Sequence, residues 1–282
     1  MSTSIMSDAR WVRVGDLAPA ELSDARLQCH HAVQIAVSAA ISYLPSRSDD
    51  SHTALTWDAR RRALSTELIT APRPFRIGMR PEDLALLAIG PDGRTTSTFD
   101  LPGRTITDGH AWLGAIAAEA GIGTPPTSRK HYEIPDHAVA RGAPFSTGSR
   151  VAFHELSRYW ANAAVVLDEV ARSTPGASDV RTWPHHFDIA TLITLADPSR
   201  TIGVGQSPGD DSYDEPYWYV GPRPYPQTAA LPALAGGGHW HTDGWVGAAL
   251  PASAFVAQSD QRGQVTAFID SAVAACRSLL GA

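Results

Sequence analysis

The sequence predicts an α+β protein in which helices pack on antiparallel β-sheets. Three observations lead to this fold class. Segments with apolar residues at helical spacing recur along the chain. Between them lie short stretches rich in β-branched and aromatic residues, separated by turn-forming residues. These stretches follow one another too closely for the helical crossovers that parallel strands need, so we expect antiparallel strands.

The chain divides into two halves with the same predicted order of helix, strands and helix. Residues 1–121 form an N-terminal α+β half, and residues 149–282 form a C-terminal α+β half that contains the predicted site. The segment 122–148 is rich in proline and glycine and shows no strand or helix periodicity, which is typical of a connector. The shared order raises the hypothesis of two similar halves, although no residue-level similarity accompanies it.

In the first half, helical spacing predicts a helix over Leu22–Leu44, which Pro45 would end. The sequence Gly90-Pro91-Asp92-Gly93 is typical of a β-hairpin turn. The run from Thr105 to Asp108 resembles a capping box and predicts a second helix that Gly121 would end. The predicted strands are Ala54–Trp57, Ala63–Ile69, Phe75–Met79, Leu84–Ile89 and Thr95–Phe99.

In the second half, one helix is predicted over Ser149–Arg172 and another over Gln261–Leu280, where the apolar stripe is cleanly amphipathic. The predicted strands between them are Val180–Trp183, Phe187–Leu195, Thr201–Gly205, Tyr217–Val220 and Trp245–Leu250.

Composition excludes several classes of protein. With 43% apolar and 18% charged residues, the chain has enough apolar material for a core, so global disorder is excluded. The net charge is −6 and no basic tract occurs, which argues against a nucleic-acid partner. The first ten residues lack the apolar region of a signal peptide, and no apolar stretch has the length of a membrane span. We therefore expect a cytoplasmic protein without a membrane partner; the sequence does not set its oligomeric state.

The two cysteines, Cys29 and Cys276, each lie within an apolar helical pattern. Two cysteines on separate helices are typical of small core residues, so we predict that they are unpaired and buried.

Three runs in the second half concentrate residues suited to a site. The runs 183–188, 207–219 and 238–245 hold four of the eleven histidines and four of the eight tryptophans. Imidazole side chains bind metals and transfer protons, and indole rings stack on ligands. The sequence therefore predicts a functional site formed by these runs.

The histidine spacing points to a metal site. Residues i and i+2 of a strand share a face, so His239 and His241 would point the same way, joined by Asp243 if the strand continues. His186 and Asp188 would form a second pair. Because imidazole suits zinc, iron, nickel and copper, we predict a divalent metal, zinc or iron, bound by His186, His239 and His241 with a carboxylate.

Two known metal sites have related spacing. The pair His186-x-Asp188, followed by His239 or His241, resembles the facial triad of iron(II) and 2-oxoglutarate oxygenases, and residues 238–241 resemble the first half of a cupin metal motif. Both matches are incomplete, because residues 242–255 lack the arginine of the first pattern and the second lacks its glutamate. A metal-free pocket and a purely structural role of these side chains therefore stay open.

Glu215 and Asp188 are the predicted catalytic residues. A carboxyl group among aromatic side chains has its pKa raised by desolvation, which suits a general acid such as Glu215. The predicted substrate-binding walls are Trp218, Tyr219, Trp240 and Trp245. The alternatives are a solvated Glu215 at the start of an edge strand and tryptophans that form a core cluster.

The same three runs resemble an uncharacterised family of bacterial proteins, common in actinobacteria and catalogued as a domain of unknown function. The resemblance covers nearly the whole chain. It implies that the Phe187-Asp188 pair, the run 215–219 and a histidine near His241 are shared features. It therefore favours Asp188, Glu215 and His241 as site residues, and it implies no activity.

These observations lead to one leading hypothesis and two alternatives. The leading hypothesis is a metal-dependent enzyme of hydrolase or oxygenase type that acts on a small molecule. The first alternative is a non-catalytic protein that binds a small molecule in an aromatic pocket. The second is a structural or assembly protein whose aromatic patch contacts another subunit.

Overall fold

The structure is a computed structural model that describes residues 11–123 and 132–282. The helices described are α1 (Ser23–Tyr43), α2 (Ile106–Ala120), α3 (Arg150–Ser173) and α4 (Gln261–Leu280). The first sheet contains β1 (Thr56–Asp58), β2 (Ala63–Ser65), β3 (Arg76–Arg80), β4 (Ala85–Ile89) and β5 (Thr95–Asp100). The second contains β6 (Arg181–Trp183), β7 (Asp188–Thr194), β8 (Thr201–Ser207), β9 (Tyr217–Arg223), β10 (His239–His241) and β11 (Gly247–Pro251).

This arrangement confirms the α+β fold class. Both sheets are antiparallel in every strand pairing, and each half of the chain runs helix, strands, helix. Strand β1 begins two residues later than predicted, and β2 is confined to the start of the stretch that we expected to be extended.

Local sequence signals set the ends of the elements in the first half. Strands β1 to β5 form a simple meander, and the hairpin between β4 and β5 turns at Gly93, which has a φ of +76°. Thr105 and Asp108 form the predicted capping box: the Asp108 N–H donates to the Thr105 hydroxyl at 3.2 Å, and the Asp108 carboxylate accepts from the Thr105 N–H at 2.8 Å. Helix α2 ends at Gly121, as predicted.

The second sheet has the order β10-β11-β9-β8-β7-β6. Its last hairpin places β11 between β9 and β10, so β10 is an edge strand of three residues. Helices α3 and α4 pack on one face of this sheet, and the opposite face is partly open. Strand β7 begins at Asp188, because Phe187 has a φ of +57° that interrupts an extended backbone.

The two sheets are joined through their backbones. Leu55 and Thr182 exchange N–H···O bonds of 2.9 and 2.8 Å, which place β1 beside β6. Helix α3 packs both on β7 and on the short 3₁₀ helix Pro81–Asp83, so one hydrophobic core includes residues from both halves. The described part of the connector, 132–148, contains the 3₁₀ helix Ala138–Arg141. Connector residues 124–131 and the first ten residues, on which the expected absence of a signal peptide rests, lie outside the described residues.

Cys29 and Cys276 are free and buried, as predicted. Burial raises the pKa of the Cys276 thiol to about 12 and raises that of Cys29 further. Across the described helices, none combines the length and the apolar character needed to cross a membrane.

Candidate functional site

The open face of the second sheet holds a pocket of about 380 Å³, within the range of sites for small molecules. Side-chain alternation along β9 forms it, because Trp218 and Val220 enter the core while Tyr217 and Tyr219 face the other way. The lining residues are His186, Asp188, Leu192, Gly203, Ser207, Asp210, Tyr217, Tyr219, Gly221, Arg223, Tyr225, Trp245 and Val246.

Backbone atoms form the floor of this pocket, because its glycine residues place no side chain there. Gly203 and Gly221 pair across β8 and β9, and a Cβ atom on Gly221 would meet no atom within 4 Å. At Gly205 the neighbouring space is filled instead, since a Cβ atom there would lie 2.5 Å from the Tyr219 ring and hydroxyl. The missing side chain at 205 therefore lets Tyr219 cross β8 and reach Asp188 on β7.

Asp188 is a buried acid, and only one of its two carboxylate oxygens has a hydrogen-bond partner among the described residues. Its side chain lines the pocket although the residue is only 7% exposed. The Tyr219 hydroxyl donates to Oδ2, whereas Oδ1 has no hydrogen-bond partner within the described part of the chain. Desolvation raises the pKa of Asp188, against the opposing effects of the Tyr219 hydrogen bond and of His186. A perturbed acid in a cleft is a frequent mark of a functional site.

The turn before Asp188 is held in an unusual conformation. Phe187 adopts the left-handed region, and its ring is 1% exposed, stacked on His30 at 4.9 Å and edge-on to Trp160 at 5.0 Å. His30 on α1 also donates through Nε2–H to the Pro184 carbonyl at 2.9 Å. Burial thus compensates the cost of the positive φ, and the anchored turn sets where His186 and Asp188 lie.

A second cluster lies at the β10 edge of the sheet. His239 Nε2 and His241 Nδ1 lie 2.9 and 3.1 Å from the Tyr213 hydroxyl oxygen. Trp245 stacks on His241 with ring centroids 4.3 Å apart, which places this cluster next to the pocket that Trp245 lines. Burial, and secondarily the neighbouring His241, lower the pKa of His239.

The three predicted metal ligands do not converge. His239 and His241 share β10 as expected, whereas His186 lies in the turn before β7. Strands β11, β9 and β8 separate β10 from β7, which gives roughly 19 Å at about 4.8 Å per spacing. The residues that the structure describes contain no group of three or more His, Cys, Asp or Glu side chains placed to hold a metal ion.

Asp243 does not extend the histidine face. Strand β10 ends at His241, and the backbone carbonyl of Asp243 accepts a hydrogen bond from His241 Nε2–H. The predicted set of two histidines and one carboxylate is therefore not assembled there.

Glu215 lies outside the pocket lining. Its carboxylate accepts hydrogen bonds from the Ser253 N–H at 2.6 Å and from the Ser253 hydroxyl at 2.8 Å. These contacts tie the start of β9 to the short 3₁₀ helix Ala252–Ala254.

Two of the four predicted aromatic walls line the pocket. Tyr219 and Trp245 do, while Trp218 is 1% exposed in the core on the opposite face of β9. Trp240 packs against the core and donates its indole N–H to the Pro232 carbonyl at 2.7 Å. The alternation of side chains along a strand explains why Trp218 and Trp240 do not line the pocket, because each lies between residues that face the open side.

The sequence patterns do not single out two residues that line the pocket, Asp210 and Arg223, or Tyr213 of the second cluster. Asp210 follows Gly209 in a turn-forming stretch that is typical of a solvated loop, yet its Oδ2 accepts a hydrogen bond from the Tyr217 hydroxyl. Arg223 could have been found by continuing the alternation of β9 beyond Val220, where the predicted strand ended. Tyr213 lies in an irregular loop, and no periodic signal in the sequence places it between the two histidines.

No family model matches the chain, and no curated protein or solved structure is significantly similar to it.

Proposed function

We propose that the protein binds a small organic molecule in the pocket on the open face of the second sheet. The main support is Asp188, a buried carboxyl group with one unpartnered oxygen in a cavity walled by Tyr219 and Trp245. A buried polar atom without a partner costs about 1–3 kcal/mol. A ligand that donates a hydrogen bond to this oxygen would remove that cost on binding.

The pocket has chemically different ends. Asp188 and Asp210 lie at one end, and at the other the Arg223 guanidinium stacks over the Tyr225 ring with its Cζ 3.8 Å from the ring centroid. From Tyr219 to Arg223 is four residues along β9, or roughly 13 Å. The arrangement fits a ligand with a donor or cationic group at the acidic end, a flat body over the glycine floor and an acceptor group toward Arg223.

A larger side chain in place of a glycine at the base of the pocket tests the proposal. Gly203→Val is suited to this, because the nearest atoms to a new Cβ are 3.8 Å away and valine favours strands. Thr194→Val, an exposed position of β7 outside the pocket lining, is the matched control. Both variants and the wild type would be screened against a library of small amines and amino-acid derivatives by thermal shift.

We expect compounds that raise the Tm of the wild type and of Thr194→Val but not that of Gly203→Val; at one hundred times Kd, binding adds about 2.7 kcal/mol. Hits that stabilise Gly203→Val equally would show that they bind elsewhere. A library without any hit on the wild type would count against this ligand class.

A second candidate is proton-transfer catalysis on the bound molecule. It is favoured by the raised pKa of Asp188, which desolvation produces and which suits a general acid. Asp188→Asn keeps the shape and removes the transferable proton. A ligand that both proteins bind and only the wild type converts would establish catalysis; binding without conversion by the wild type would leave a binding protein.

A further inference from the structure

We propose that His239 and His241, with the Tyr213 hydroxyl oxygen as third donor, form a binding site for a first-row transition-metal ion at the β10 edge of the second sheet. The site adjoins the pocket and does not depend on the function proposed for it. It keeps two of the three histidines predicted from the sequence and replaces His186 by a tyrosine from a loop.

The spacing of the donor atoms supports the site. The Tyr213 oxygen is 2.9 Å from His239 Nε2 and 3.1 Å from His241 Nδ1. Metal–nitrogen bonds of about 2.0–2.1 Å place neighbouring donors of a tetrahedral or octahedral ion roughly 2.9–3.4 Å apart. Two donor–donor distances therefore already suit a shared metal.

The hydrogen bonds fix the state of His241. A carbonyl oxygen can only accept, so the contact with the Asp243 carbonyl places the proton of the neutral ring on Nε2. The lone pair of Nδ1 then points toward Tyr213, whose hydroxyl donates to it and accepts from His239 Nε2–H. An imidazole that donates its second N–H to a backbone carbonyl is the usual arrangement of a metal-bound histidine.

The surroundings favour an accessible site with open coordination positions. His239 is exposed on a short edge strand, and Trp245 stacked on His241 at an interplanar angle of 20° restrains that ring. Two imidazole nitrogens select zinc, copper, nickel, cobalt or iron over calcium and magnesium, which prefer oxygen donors. For the metal to enter, His239 takes the tautomer with its proton on Nδ1, and the Tyr213 hydroxyl proton turns away from His241.

The experiment is a calorimetric titration of the untagged full chain with Zn²⁺ and Ni²⁺, with Ca²⁺ as the comparison. Quenching of tryptophan fluorescence by Ni²⁺ adds a local readout, because Trp245 contacts His241. The variants are His239→Gln, His241→Gln and Tyr213→Phe. His154→Gln, at an exposed histidine of α3, is the matched control, and circular dichroism checks that each variant folds.

We expect one equivalent of Zn²⁺ or Ni²⁺ to bind the wild type and His154→Gln, and no saturable binding of Ca²⁺. Each glutamine variant at 239 or 241 should weaken binding about 100-fold, and Tyr213→Phe about 10-fold. A further variant carries both His239→Gln and His241→Gln; if it binds as tightly as the wild type, the metal is an adventitious ion only. No saturable binding by the wild type would also overturn the site. Gly203→Val should bind metal as tightly as the wild type. A failure of the pocket proposal and a failure of the metal site would therefore give different results.

Discussion

Phe187 links the core of the protein to the pocket through a single residue. Its backbone is in the left-handed region, which costs of order 1–3 kcal/mol for a residue other than glycine. The ring is buried against His30 and Trp160, and the next residue is Asp188. Packing in the core therefore determines the direction in which the acid enters the pocket.

Replacing Phe187 by alanine should lower the free energy of unfolding by about 3–5 kcal/mol, because the variant loses the buried ring and keeps the positive φ. Urea denaturation measures this loss. Val151→Ala, at a position of α3 that is 50% exposed, should change stability by less than about 0.5 kcal/mol. If the free energy of unfolding falls no further in Phe187→Ala than in Val151→Ala, burial of the ring does not compensate the cost of the positive φ.

Asp188 should make stability depend on pH. Its pKa in the folded protein is raised above the ordinary value of 3.8, so the folded state binds the proton more tightly than the unfolded state. The stability contributed by the neutral acid is fully present below pH 3.8 and is lost as pH rises through the folded pKa.

Asp188→Asn should therefore raise the Tm by about 2 °C or more at pH 7 and by less at pH 4. Thermal denaturation at both pH values tests this, with Asp270→Asn, an exposed position of α4, as the control. A variant that is less stable than the wild type at pH 7 would show that the ionised carboxylate is well solvated or paired. A gain in stability with weaker ligand binding would be typical of a functional residue.

At the scale of elements, Glu215 connects β9 to the helix that follows β11. Glu215→Ala removes two charge-assisted hydrogen bonds to Ser253, so we expect the free energy of unfolding to fall by about 1–3 kcal/mol. Ligand binding in the pocket should be unchanged, which fluorescence titration with any hit compound measures. Loss of binding without loss of stability would support the predicted role of Glu215 as a general acid.

Local signals predicted most of the elements. The capping box at Thr105, the turn at Gly93 and the apolar stripe of α4 depend on residues close in sequence, so they could be recognised without coordinates. Alternation also placed Tyr219 and Asp188 on strands whose open faces form the pocket. These features need only the period of one strand or helix.

The composition of the site depends on strand order, which the sequence did not determine. The insertion of β11 between β9 and β10 moves His239 and His241 to the edge and separates them from His186. The contact of Tyr219 with Asp188 likewise requires β8 to contribute Gly205 between them. Strand order and contacts of this kind join residues that are distant in sequence, and no periodic pattern in the sequence predicts them.

At the scale of the molecule, the two sheets share one core. The backbone pair Leu55–Thr182 joins β1 to β6, and α3 contacts elements of both halves. We expect thermal unfolding in a single cooperative transition, with equal calorimetric and van't Hoff enthalpies. Fragments 1–121 and 149–282, produced separately, should lack cooperative unfolding because each would expose part of the shared core. Two resolved transitions in the full chain would instead show independent halves.

The two inaccessible thiols provide a reporter for ligands of any chemical class. Cys29 and Cys276 are 0% exposed, so an alkylating reagent can modify them only when the chain opens. A compound that binds the folded state slows this labelling in proportion to its occupancy. The rate of mass gain in a mixture of metabolites would therefore show whether the mixture contains a binder, without a dye and without an assay for turnover.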